Sequence, residues 1–128
     1  MIIRFLLTGV IMAAIDAVWL SVIANKFYKS QIGDLLLAKP NMLAAAAFYI
    51  LYVVGIVAFV LSPALEKGSL KHAVVYGALF GLVCYATYDL TNMATLKGFT
   101  WKLVAVDLAW GAFLTSVVSS LAYLILHK

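Results

Sequence analysis

The sequence predicts an all-α membrane protein, a polytopic four-helix bundle forming one transmembrane domain over residues 1–128. Three observations carry that prediction. The chain is 66% hydrophobic and only 11% charged, with a mean hydropathy of +1.10. A soluble domain carries roughly a quarter charged residues, so this chain has too little polar surface to cover a water-facing globule. Four apolar runs each reach the roughly 20 residues needed to cross about 30 Å of hydrocarbon. A backbone in hydrocarbon must satisfy its own hydrogen bonds, so those runs are helices.

The first helix is expected over 2–24. Its run is too long for the apolar core of a signal peptide, and Asp16 and Trp19 interrupt it, so it reads as a retained span. A segment from Asn25 to Asn41 follows. It mixes Lys26, Lys29 and Lys39 with Phe27, Tyr28, Ile32 and Leu35, as a chain lying in the membrane interface does. Pro40 ends it, and Asn41 is placed to cap the second helix, expected over 42–61. A turn with Pro63 and Gly68 leads to the third helix, over 70–93. A shorter turn at Gly98 leads to the fourth, over 100–126. Four spans return the chain, so both termini are expected on one side, with no soluble domain before or after the membrane part.

The net charge is +4, but the basic residues are scattered beside apolar runs. That pattern fits membrane flanks and speaks against nucleic acid as a partner. Arg4, Lys67, Lys71 and Lys128 fall on the side of the termini, and Lys26, Lys29, Lys39, Lys97 and Lys102 on the other. The near-even split leaves the orientation open, with the lysines of the two loops leaning toward their own side as cytoplasmic. The single cysteine, Cys84, has no partner for an internal disulfide and reads as a small packing residue.

Three of the five acidic residues, Asp16, Asp89 and Asp107, fall inside spans. At about 1.5 Å per residue, all three lie in the half of the membrane away from the termini. Helix one contains Asp16-x-x-Trp19 and helix four Asp107-x-x-Trp110. In antiparallel helices this echo is consistent with an inverted repeat. In helix three, Gly77, Gly81, Tyr85 and Asp89 step by four along one face, bordered by Tyr88 and Asn92. Gly77 and Gly81 form a motif that lets helices approach closely. In helix four, Asp107, Gly111, Thr115, Ser119 and Tyr123 also step by four. Helix two supplies Tyr49 and Tyr52 at comparable depth.

These residues predict a cavity with Asp16, Asp89, Asp107 and Asn92 as its polar groups and Trp19, Tyr49, Tyr52, Tyr85, Tyr88 and Trp110 as its walls. Three carboxylates at close quarters in low dielectric cannot all stay ionised, so shared protons are expected. The plainer alternative is that each Asp only joins helices or caps an end, as Asp89 is placed to do for the turn after helix three. His72 and His127 lie far from the acids, which speaks against a His-based catalytic pair. The acids lack the spacing of a magnesium–phosphate clamp, so no metal and no cofactor is expected.

The strings "DAVWL", "FYKSQIG", "GALFGLVCYATYDLTNMATLKG" and "VDLAWG" resemble a family of bacterial membrane proteins catalogued as domain of unknown function 2177. The resemblance runs almost end to end. It implies a four-helix inner-membrane protein with no established activity. It also implies that Asp16, Asp89, Asn92, Asp107 and Trp110 occupy the family's motif positions.

Three functions remain on this reading. The first is binding of a membrane lipid or small amphipathic molecule in the acid-and-aromatic cavity, with proton exchange or acid–base catalysis by Asp16, Asp89 and Asp107. The second is proton-coupled export of hydrophobic cations by a homodimer, by analogy with the small multidrug-resistance transporters. The third is a structural or assembly subunit whose acids pair helices.

Overall fold

The computed structural model describes residues 2–24, 26–27, 30 and 41–127. Helix α1 runs Ile2–Val18 and continues as a wider π-helical turn, Trp19–Ala24. Helix α2 starts at Met42–Ile56, passes through a π-helical turn at Val57–Leu61 and ends with Ser62–Lys67. Helices α3 and α4 run Leu70–Thr95 and Trp101–Leu126. All four are long and apolar enough to cross a membrane, and among the described residues there is no strand. The expected interfacial segment falls largely on 25, 28–29 and 31–40, outside the described residues.

Local chemistry sets the helix ends. Asn41 accepts a hydrogen bond from Ala44 N at 3.1 Å, the cap read from the sequence. Ser69 does the same for His72 N at 3.0 Å and Thr100 for Leu103 N at 3.1 Å. Each side chain satisfies a first-turn N–H that has no partner within its own helix. Gly68 and Gly98 take positive φ, 61° and 81°, and reverse the chain.

The end of α2 differs from the sequence reading. Pro63 was expected in a turn, yet the helix continues through it to Lys67. Proline in a helix clashes with the carbonyl four residues back and lacks an N–H. The π-helical turn immediately before it changes the hydrogen-bond register, and Pro63 sits at the start of the next α-helical stretch, where its missing N–H costs little. Gly68, in the left-handed conformation, is the true stop.

Contacts at the two ends fix the topology. Arg4 Nη1 donates to Ser62 Oγ at 2.9 Å, and His127 lies against Gly68. The start of α1, the α2–α3 turn and the end of α4 therefore share one end of the bundle. At the other end, Phe99 from the α3–α4 turn packs with Leu103, Val104 and Phe27. Cysteines placed at Ser69 and Ser30 in a Cys84→Ser background should accordingly label from opposite faces of the membrane. Labelling from one face would contradict this topology.

The distribution of polarity is the reverse of a soluble protein's. Leu43, Leu51, Phe59 and Phe113 are exposed, while Thr8, Asp89, Asp107, Thr115 and Ser119 are buried. Such an exterior belongs in lipid. Hydroxyls left on the outside are satisfied within their own helix: Thr87 Oγ1 donates to Val83 O at 2.7 Å and Ser21 Oγ to Ala17 O at 2.7 Å.

Helices α3 and α4 make the closest approach. A Cβ on Gly81 would run into the carbonyl of Gly111 and into Thr115 Oγ1, and one on Gly77 would come within 2.9 Å of Ser116 Cα. The two glycines read as a contact face thus let backbone lie on backbone. Ser116 Oγ adds a hydrogen bond to Val74 O at 2.9 Å. Helix α2 is tied in by Tyr52, whose hydroxyl lies 2.7 Å from Thr115 Oγ1, and by Phe80, whose ring covers Gly55.

Candidate functional site

The antiparallel pairing of α3 with α4 sets Asp89 opposite Asp107. Above them in the same register, Gly81 and Tyr85 lie against Gly111. The carboxyls of Asp89 and Asp107 lie close enough to interact directly. A carboxylate has only acceptors, so the two carboxyls can join by a hydrogen bond only where one of them carries a proton. Asp89 is 1% exposed and Asp107 8%. The second oxygen of Asp89, Oδ2, is buried without a partner. Asp89 therefore serves the α3–α4 contact and does not cap the helix end, where Leu96 N bonds Asn92 O at 2.8 Å instead.

Asp16 joins from α1. It lies close enough to Asp107 for their charges to interact. Tyr49 of α2 donates to Asp16 Oδ2 at 3.2 Å, and the same hydroxyl lies 3.2 Å from Met12 O. One hydroxyl proton is shared between these two acceptors, so neither bond is short. The indole N–H of Trp110 lies beside Asp16 as well, although it closes no hydrogen bond of full geometry. The rings of Trp19 and Trp110 stack at 4.2 Å and 8°. The two Asp-x-x-Trp motifs therefore meet face to face across α1 and α4. Three carboxylates thus stand in a row, Asp16–Asp107–Asp89, with Tyr49 at one end.

A cleft of about 270 Å³ opens beside the row, lined by Phe48, Cys84, Tyr85, Tyr88 and Asp107. Only Asp107, Tyr85 and Tyr88 of the ten residues singled out from the sequence form its wall. Asp89 lies behind Asp107. Asp16, Trp19, Tyr49 and Trp110 make a second group, joined to the cleft through Asp107. Tyr52 is 5% exposed and stands behind Tyr85, edge-on at 6.1 Å. Tyr88 is 62% exposed, so it is a rim residue, T-shaped to Phe99 at 6.5 Å. Asn92 lies beside Tyr88, which places it near the rim too. Among the described residues, no three acid, His or Cys side chains are grouped to hold a metal ion.

Sequence reasoning missed Phe48 and Cys84. The signal was there in their spacing, since Phe48 precedes Tyr52 by four and Cys84 precedes Tyr88 by four.

The family comparison matches residues 1–124 to the family described as predicted membrane protein (DUF2177). The chain belongs to this family. Neither the curated proteins nor the solved structures compared with it contain a match. Family membership and four apolar helices of spanning length together make it a multi-pass membrane protein.

Proposed function

We propose that this family member binds a small amphipathic molecule in the cleft between α2, α3 and α4, within the bacterial inner membrane. The polar end meets Asp107, backed by Asp89, and the apolar part lies among Phe48, Tyr85 and Tyr88. The carrying observation is a carboxylate set in an aromatic-walled cleft within a lipid-embedded bundle. Ionisable groups inside membranes are expensive, and they are kept where they meet a polar substrate, an ion or one another. The rim at Tyr88 leaves a way in. Binding sites for drug-sized molecules run from about 300 Å³ upward, so this cleft suits a smaller one.

Cys84 is the chain's only cysteine and stands in the cleft wall, so it reports occupancy without engineering. A small maleimide should modify Cys84 more slowly in protein carrying its co-purifying molecule than in protein stripped by detergent exchange. Native mass spectrometry should show the same molecule lost on stripping. Equal modification rates, with no bound mass, would leave Asp89 and Asp107 as helix-joining groups and sink this reading.

A further inference from the structure

We infer that a second groove, between α2 and α3 toward the end that holds the termini, binds an anionic phospholipid, with its phosphate at Lys67 and one acyl chain along the groove. This site is separate from the cleft at Asp107 and does not rest on that reading. The groove holds about 220 Å³ and is lined by Phe59 and Val60 of α2 and by Tyr76, Leu79, Phe80 and Val83 of α3. Two local features shape it. Phe80 lies over Gly55, where a Cβ would come within 2.7 Å of the ring. The π-helical turn Val57–Leu61 carries Val60 inward, 1% exposed, and leaves Phe59 outward, 70% exposed. Phe59 then meets Phe80 at 6.2 Å. Turns of this kind are rare and occur often at functional sites. Of the six lining side chains only Tyr76 has a polar atom, so the groove itself takes hydrocarbon.

The α2–α3 turn closes one end of the groove, and charge stands there. On α2, Phe59, Pro63 and Lys67 step by four, which brings the lysine to the groove's face. Glu66 is turned about 100° from it. On α3, His72, Tyr76, Leu79 and Val83 follow the i, i+4, i+7, i+11 spacing of one face. Lys71 falls about 100° from His72, off that face. His72 stacks on Tyr76 at 4.3 Å and 23°, and it lies close enough to Lys67 for their charges to interact. Its Nε2 has no hydrogen-bond partner among the described residues. A phosphate at this mouth meets the ammonium of Lys67 and offers the imidazole an acceptor. A zwitterionic head would bring its own ammonium to the lysine, and an anionic head does not. The length agrees as well. At about 1.5 Å per residue, His72 to Val83 covers about 16 Å, and the hydrocarbon of one leaflet is about 15 Å deep, half of about 30 Å. A chain whose head is anchored at Lys67 therefore runs the length of the groove and ends near the middle of the bilayer.

The test offers the full chain equimolar dioleoylphosphatidylglycerol and dioleoylphosphatidylcholine in mixed micelles and counts retained lipid by native mass spectrometry. The two lipids share their chains and differ in net charge. The glycerol lipid should be retained about fivefold over the choline lipid, the contribution of about one lysine at a membrane surface. Lys67→Gln should erase that preference. Lys71→Gln, the same loss of charge off the groove's face, should keep it. Val83→Trp fills the deep end without changing charge and should lower retention of both lipids. Circular dichroism checks that each variant keeps its helices, and if Val83→Trp does not fold, the two lysine variants decide alone. Equal retention of the two lipids by the wild type would overturn the inference. Equal loss of preference in both lysine variants would mark diffuse attraction to the basic rim and overturn it as well. Retention unchanged by a folded Val83→Trp would place the acyl chain elsewhere, with the same consequence.

Discussion

Gly81→Ala is expected to disrupt the α3–α4 contact, whereas Gly9→Ala should leave the protein at least as stable as before. Both glycines lie inside spanning helices, so the comparison separates packing from helix propensity. The added Cβ at Gly81 would collide with the carbonyl of Gly111 and with Thr115 Oγ1. A backbone carbonyl cannot swing aside, and the two helices must part. Overpacking of this kind costs about 1–3 kcal/mol and sometimes more, and a clash with backbone places it at the upper end. At Gly9 the nearest atom is Val53 Cγ1, 4.0 Å away. There the methyl group makes an ordinary van der Waals contact, and alanine's better helix propensity contributes up to about 1 kcal/mol. Thermal unfolding in detergent, followed by circular dichroism, measures both. Gly81→Ala melting with the wild type would refute the backbone-on-backbone contact. Gly111→Ala links this contact to the cleft. Its Cβ meets the ring of Tyr85, which would have to leave its place against Tyr52, so this variant should also lose protection of Cys84.

The packing face was legible because glycine, serine and threonine at intervals of four on an apolar helix have few other uses. Gly77 and Gly81 meet the stripe that runs through Gly111, Thr115 and Ser119. The caps at Asn41 and the turns at Gly68 and Gly98 were legible because their chemistry is local. The end of α2 was not, since nothing in "SPALEK" shows that a π-helical turn precedes Pro63. Asp89 and Asp107 are buried, but the sequence does not show which aromatic groups share a wall with them. An α-helix turns about 100° per residue, so Tyr88 is rotated about 60° from Tyr85 and about 100° from Asp89. That rotation takes it out of the α3–α4 contact to the rim. The echo of Asp-x-x-Trp was visible as letters, yet the stacking of Trp19 on Trp110 depends on how α1 and α4 cross. Crossing geometry comes from the summed packing of all four helices, and no local string encodes it.

The protonated state of the Asp89–Asp107 pair gives the second large effect. At neutral pH, infrared spectra should contain a protonated-carboxyl stretch that Asp89→Asn removes and Asp16→Asn leaves. The proton is assigned to Asp89 because it is the more buried member, at 1% against 8% exposed, and burial disfavours the charged form more strongly there. Asp107 borders the cleft. Stability should separate replacement from removal. Asn at position 89 keeps the size and supplies an N–H to Asp107, so Asp89→Asn should melt near the wild type. Asp89→Ala removes the donor and leaves a buried carboxylate without it. An unsatisfied buried group costs about 1–3 kcal/mol, and a charged one more. Asp89→Ala should therefore fall well below Asp89→Asn in thermal unfolding. If the infrared band is absent at pH 7, or if Ala and Asn at position 89 melt alike, the shared proton does not hold α3 to α4. With the band present, the carboxylate in "YDLTN" has a physical reason to lie at this depth. It never faces lipid, and it meets a second carboxyl with one proton between them.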